Sequence, residues 1–148
     1  FKAAGDPVRA AEVLALIDAA AVGKAKAEFQ QALVQARLRE RTRDDLAGAK
    51  AAASPAAVRE AEAAVKEAAV RVLAAAQALA NLGLPVRADD YRDTPPAEVA
   101  KRLRLLGAED AAEGLAPADA TTSLLPVRSP LTGVVLSTDV VAGEAAEA

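Results

Sequence analysis

Apolar positions recur at intervals of seven through the middle of the chain. Val58, Val65, Val72 and Leu79 form one series, and Ala61, Ala68, Ala75 and Leu82 follow three residues after each. This is a coiled-coil seam with alanine at one of its two positions. Ser54 and Pro55 open that helix as N-cap and first helical residue. Gly83 is its left-handed stop, with Pro85 just beyond. In Ala19–Lys50 only Gly23 and Gly48 interrupt a second helix, and Val22, Phe29, Leu33 and Ala36 lie close to one of its faces. That stripe fades into Arg37, Arg39, Glu40, Arg41, Arg43, Asp44 and Asp45, a solvated far end. Ala51-Ala52-Ala53-Ser54-Pro55 separates the two helices. The simplest partner for the later helix is the earlier one, folded back as an antiparallel hairpin. Pairing of two chains in a long dimer is the alternative. Arms of roughly 28 to 32 residues give a hairpin about 40–48 Å long.

The flanks follow other periods. After the turn signal Gly5-Asp6-Pro7, Glu12–Asp18 is an apolar run of strand length, although its Ala and Leu also suit a helix. Leu84–Asp93 is polar and reads as loop. Thr94-Pro95-Pro96 predicts a third, shorter helix capped by Thr94, with Val99, Leu103 and Leu106 as its apolar face and Gly107 at its end. Ala108–Ser123 has no clear period and reads as a loop with room for one helical turn. Leu124–Ser129 reads as a strand, Pro130–Gly133 as a turn, Val134–Thr138 as a strand and Val140–Glu144 as another turn. Short strands at the two ends cannot be stable separately. They are expected to meet in one small β domain, with Ile17 and Val135 in its core. The fold class is therefore α+β, mainly α. Residues 1–18 form the first part of the β domain, 19–83 the hairpin, 84–121 a loop and short helix, and 122–148 the second part.

Composition narrows the chemistry. Of 148 residues 42 are alanine, so the 53% hydrophobic content implies a thin core and close helix packing. With no cysteine there are no disulfides, zinc-thiolate sites or thiol nucleophiles, and with no histidine no imidazole base or triad. A net charge of −3 and a pI near 5.1 argue against nucleic acid. No apolar run is long enough to span a membrane. Phe1–Asp6 is no signal peptide, and the chain reads as a piece of something longer. Neighbouring residues on a helix do not face each other, so Asp44 and Asp45 make no acid–base pair. Asp89 and Asp90 read as loop carboxylates and Tyr91 as a loop residue covering apolar surface. No catalytic, cofactor or metal site is expected.

Ser129-Pro130-Leu131-Thr132-Gly133-Val134-Val135, followed by Val140-Val141-Ala142-Gly143-Glu144, resembles the second half of a lipoyl/biotinyl-like domain. Gly5-Asp6-Pro7-Val8 with Glu12–Asp18 resembles the end of the first half. Two such half-motifs split by a long helical hairpin resemble the periplasmic adaptors, or membrane fusion proteins, of tripartite efflux pumps. Val22–Phe29 is similar to the hairpin start in the heavy-metal branch of that family. The resemblance implies a non-enzymatic periplasmic subunit, anchored to the inner membrane through parts outside this chain. It also implies an inner-membrane RND-type transporter and an outer-membrane channel as partners, and self-association in a ring. Drug-efflux adaptors grip the channel through an Arg-x-x-x-Leu-x-x-x-x-x-x-Ser pattern at the hairpin tip. Arg43, an exposed Leu46 and Ser54 supply those residue types here, at spacings of three and eight. A true carrier presents a lysine where its halves join, whereas Lys24 and Lys26 fall inside predicted helix. The alternatives are a lipoyl or biotinyl carrier domain and a stand-alone alanine-rich coiled coil.

Overall fold

The computed structural model describes residues 2–49, 53–107 and 121–145. The expectations for 50–52 at the hairpin turn and for most of Ala108–Ser123 lie outside the described residues. The elements run β1 (Pro7–Val8), β2 (Val13–Asp18), α1 (Ala20–Gly48), α2 (Pro55–Asn81), a 3-10 turn (Ala88–Tyr91), α3 (Pro96–Arg104), β3 (Leu124–Arg128) and β4 (Gly133–Val134). The chain is mixed helix and strand, and mainly helical.

The 29 residues of α1 and 27 of α2 pack along each other as the expected hairpin. In the seam Ala61, Ala68, Val72 and Leu79 are buried, while Val58, Val65, Ala75 and Leu82 are only half-buried. Toward the tip α1 turns charged, and of its apolar side chains there Leu38 is 53% exposed and Leu46 only half-buried. α2 ends in a Schellman arrangement. The Leu84 N–H donates to Leu79 O at 3.0 Å and the Gly83 N–H to Ala80 O at 2.9 Å, with Gly83 at φ +76°. Leu79 and Leu84, both buried, make the apolar contact of that motif.

The core sits at the base of the hairpin, away from the tip. Val22, Phe29 and Leu33 of α1 meet Val72 and Leu79 of α2, Leu84 and Tyr91 of the following loop, and Val99 and Leu103 of α3. Each large side chain buried there contributes about 1.5–3 kcal/mol. The stretch read as polar loop thus supplies two core residues. Thr94 does not cap α3. Pro95 holds the N-cap position without a side-chain bond, and the Thr94 hydroxyl donates to Asp90 O at 3.5 Å. The preceding 3-10 turn has claimed it, since the Thr94 N–H also donates to Tyr91 O at 3.1 Å. Gly107 leaves α3 at φ +79°, where a Cβ would stand 2.5 Å from Leu84 Cδ2. A left-handed backbone pressed on the core requires glycine there.

The two chain ends do pair. β2 and β3 run antiparallel from Val13↔Arg128 to Asp18↔Leu124, with an irregularity between Val13 and Ala15. β1 and β4 pair through Pro7↔Val134 and Val8↔Gly133. These are two separate two-stranded ladders, and this corrects the expectation of one core shared by Ile17 and Val135. Ile17 is 39% exposed opposite Leu125, while Val135 exchanges backbone bonds with Gly5 and Asp6. The expected strand Val134–Thr138 is cut to its first residue, and Leu136 is 92% exposed. β-branched composition favours a strand only where a neighbour takes its backbone groups.

Candidate functional site at the hairpin tip

The last turns of α1 carry the tip side chains. Arg39, Arg41 and Arg43 are balanced by Glu40, Asp44 and Asp45. Net charge there is zero, so long-range attraction selects no partner. Arg43 is half-buried, and its Nε lies 2.6 Å from Asp44 Oδ1. Such an exposed pair contributes little to stability, but it fixes the guanidinium plane. Leu46 is half-buried, not exposed as expected. The Thr42 hydroxyl donates to Leu38 O at 2.9 Å, and the Ala49 N–H closes the helix on Asp45 O.

Ser54 stands at the start of the returning arm. It is exposed, and its Oγ accepts the Ala57 N–H at 3.1 Å as the N-cap of α2. The carbonyl of Ser54 accepts the Val58 N–H at 3.2 Å. Capping occupies one lone pair and leaves the hydroxyl proton to donate outward. Arg43, Leu46 and Ser54 therefore share the tip end of the hairpin, Arg43 held by Asp44 and Ser54 by its capping bond. The surface they offer is one aliphatic side chain beside a guanidinium and a hydroxyl. It can bind a helix end or loop; it carries no group placed for bond-breaking.

Polar side chains at the base hold contacts that the sequence reading did not assign. Lys26 is buried, and its Nζ donates to Arg104 O at 3.2 Å and Leu124 O at 3.5 Å. It ties α1 to the end of α3 and the start of β3. Its signal was present: Lys26 falls four residues after Val22 and three before Phe29, on the apolar face. Lys24 lies exposed on the outer side of the same helix, and neither lysine sits at a turn between strands. Arg37 donates from Nη2 to Tyr91 O, while its Nε is buried without a hydrogen-bond partner. In the β ladders the Lys2 ammonium, 2.7 Å from Glu12 Oε1, holds the Glu12 carboxyl below its ordinary value of 4.5, and the Arg9 N–H adds to this.

Among the described residues no group of three or more Asp or Glu stands close enough to hold a metal ion. Among the same residues no helix is long and apolar enough to cross a membrane. Comparison of the chain with protein-family models, curated proteins and solved structures finds no match in any of the three.

Proposed function

We propose that this chain is the hairpin-bearing part of a periplasmic adaptor, a non-enzymatic subunit that links an inner-membrane RND-type efflux transporter to an outer-membrane channel. The observation that carries the reading is the return of the chain to its start. Residues 7–18 pair antiparallel with 124–134 on either side of a hairpin of 29- and 27-residue helices. A small β base with a rod standing on it suits a spacer, because it separates two contact regions by about 40 Å. In this reading the paired ladders are the two halves of a lipoyl/biotinyl-like domain and the hairpin is the insertion between them. The base stands toward the inner membrane, and Arg43, Leu46 and Ser54 meet the channel. Lys26 supports a fixed angle between rod and base, since its ammonium, carried on the rod, binds carbonyls at the end of α3 and the start of β3.

The test is site-specific photo-cross-linking in intact cells, with the probe at position 46 of the full-length protein. An outer-membrane channel captured from that position, and not from exposed position 70 on α2, is the expected result. Capture of no envelope protein overturns the reading.

A further inference from the structure

Exposed aliphatic side chains gather near the end of the chain, at Leu131, Val134, Leu136, Val140 and Val141. A cluster of this kind on a folded surface marks a contact site. The backbone there is equally unsatisfied. Val135 is the last residue to meet β1: its N–H donates to Asp6 O at 3.0 Å and its carbonyl accepts the Gly5 N–H at 2.8 Å. At Gly5, φ +95°, the facing chain turns away, and the Lys2 N–H goes to Leu14 O of β2 instead. Among the described residues the N–H and C=O groups of Leu136–Val140 have no hydrogen-bond partner within the chain.

This segment is complementary to itself as a strand. Drawn out, it sends Leu136, Thr138 and Val140 to one face and Ser137, Asp139 and Val141 to the other. Val135 turns its backbone groups toward β1, so in a strand that continues β4 the even-numbered residues turn theirs to the opposite, free edge. Antiparallel pairing of two copies about Thr138 uses that edge. It sets Leu136 opposite Val140, Val135 opposite Val141 and Ser137 opposite Asp139. Aliphatic side chains then meet aliphatic ones, and each Asp139 carboxylate meets a hydroxyl donor. Centring the pair on Asp139, or pairing the copies parallel in register, sets the two Asp139 carboxylates against each other, which is unfavourable. Charge therefore selects both the direction and the register. The two-residue ladder of β1 and β4 is too small to be stable alone, and this pairing makes it part of a larger sheet.

We infer that Leu136–Val141 is a docking strand for the same segment of a second copy, paired antiparallel about Thr138. β1 and β4 of both copies then form one four-stranded sheet. The contact is isologous, so it closes at two copies and does not propagate. It lies on the β base, uses neither the rod nor the tip, and does not rest on the adaptor reading.

The test is sedimentation velocity of the whole chain over a wide concentration range. The parent is expected to reach a dimer with rising concentration and nothing larger. Leu136→Lys puts a charge on the apolar face of the docking strand and should remain monomeric. Its melting temperature at low concentration should match the parent's, because Leu136 is 92% exposed in the single chain. Ser137→Asp sets a carboxylate opposite Asp139 twice over and should weaken the dimer, whereas Ser137→Lys should strengthen it at low salt. Because the chain has no cysteine, disulfide trapping gives a second readout. In the dimer Thr138 faces its own counterpart at a Cα separation of about 5.5 Å, within disulfide reach. Thr138→Cys should therefore oxidise to a covalent dimer. Ser137→Cys should not, since its counterpart lies beyond the roughly 7 Å limit. A parent that stays monomeric or grows past the dimer, a Leu136→Lys chain that associates like the parent, Ser137 variants that shift the dimer alike, or equal trapping at 137 and 138 overturns the inference. None of these measurements needs a channel, so their failure leaves capture at position 46 standing, and failure of that capture leaves the dimer standing.

Discussion

The rings of Phe29 and Tyr91 meet edge to face, with centroids 5.7 Å apart and planes at 81°. One ring comes from the first third of α1 and the other from a 3-10 turn sixty-two positions later. In a chain so rich in alanine, this pair fills the space between hairpin and loop. The contact holds the 3-10 turn against α1, and the Arg37 guanidinium on Tyr91 O holds it a second time.

Phe29→Ala should cost about 3–5 kcal/mol, the usual range for emptying a buried aromatic site. Tyr91→Leu keeps most of the volume and loses the edge-to-face term, about 0.5–1.5 kcal/mol. Urea unfolding followed by circular dichroism checks both. A Tyr91→Leu chain as stable as the parent would mean that Tyr91 packs as a generic apolar residue.

Lys26 offers a sharper contrast. Lys26→Glu brings a carboxylate against the carbonyl oxygens of Arg104 and Leu124 and should unfold the base of the molecule, at about 3–5 kcal/mol. Lys26→Met keeps the stem and leaves two acceptors without this donor, costing about 1–3 kcal/mol. Thermal melts of the two variants should keep that order. A Lys26→Glu chain as stable as the parent would mean that the ammonium reaches solvent.

The seam grades from base to tip. Val72 is buried and Val65 half-buried, so Val72→Asp should lower the melting temperature more than Val65→Asp. The half-buried carboxylate keeps part of its hydration, and the buried one does not. Helical content at 222 nm should fall cooperatively for Val72→Asp. Identical melts for the two variants would contradict the grading.

The hairpin was legible in the sequence because several local signals agreed on it. The sevenfold seam, the Ser54-Pro55 cap and the Gly83 stop name the same element, and pairing of the chain ends followed from strands too short to stand alone. What escaped was set by distant contacts. Nothing near Thr94 says that a preceding turn will take its hydroxyl, and nothing in Val134–Thr138 says that the regular strand will end at its first residue. Lys26 could have been placed from its spacing. A lysine on an apolar stripe is readily assumed to extend its amine to water; here two carbonyls of later elements meet it inside. At the tip the capping role of Ser54 was legible. The half-burial of Leu46 was not, because it depends on how the two helices face each other there.

Ala11 stands at φ +67° between β1 and β2. A left-handed backbone costs an L-residue about 1–2 kcal/mol, and the site persists because the Ala11 N–H donates to Ser129 O at 2.8 Å and Arg128 Nη1 donates to Ala11 O at 2.7 Å. Ala11→Gly relieves the strain and adds freedom to the unfolded chain. The net gain should be up to about 1 kcal/mol, read as a higher melting temperature. A destabilised Ala11→Gly would place Ala11 in an ordinary backbone conformation.

The tip prediction separates folding from binding. Arg43 and Leu46 lie beyond the buried seam, so Arg43→Asp with Leu46→Ser should leave the hairpin folded, with at most a small loss from the half-buried Leu46. In the full-length protein the same double variant should lower co-purification with the outer-membrane channel and lower export at equal expression. Ser54 needs a different pair of substitutions because it already caps α2. Ser54→Ala removes the cap and should cost about 1 kcal/mol, while Ser54→Asp restores capping and supplies no hydroxyl donor. If Ser54 acts only as a cap, Ser54→Asp matches the parent in both stability and channel capture. If its hydroxyl also grips the channel, Ser54→Asp is stable but captures less. A double variant at positions 43 and 46 that exports and co-purifies like the parent would make the tip a solvated turn, and channel contact would then have to be sought elsewhere on the rod.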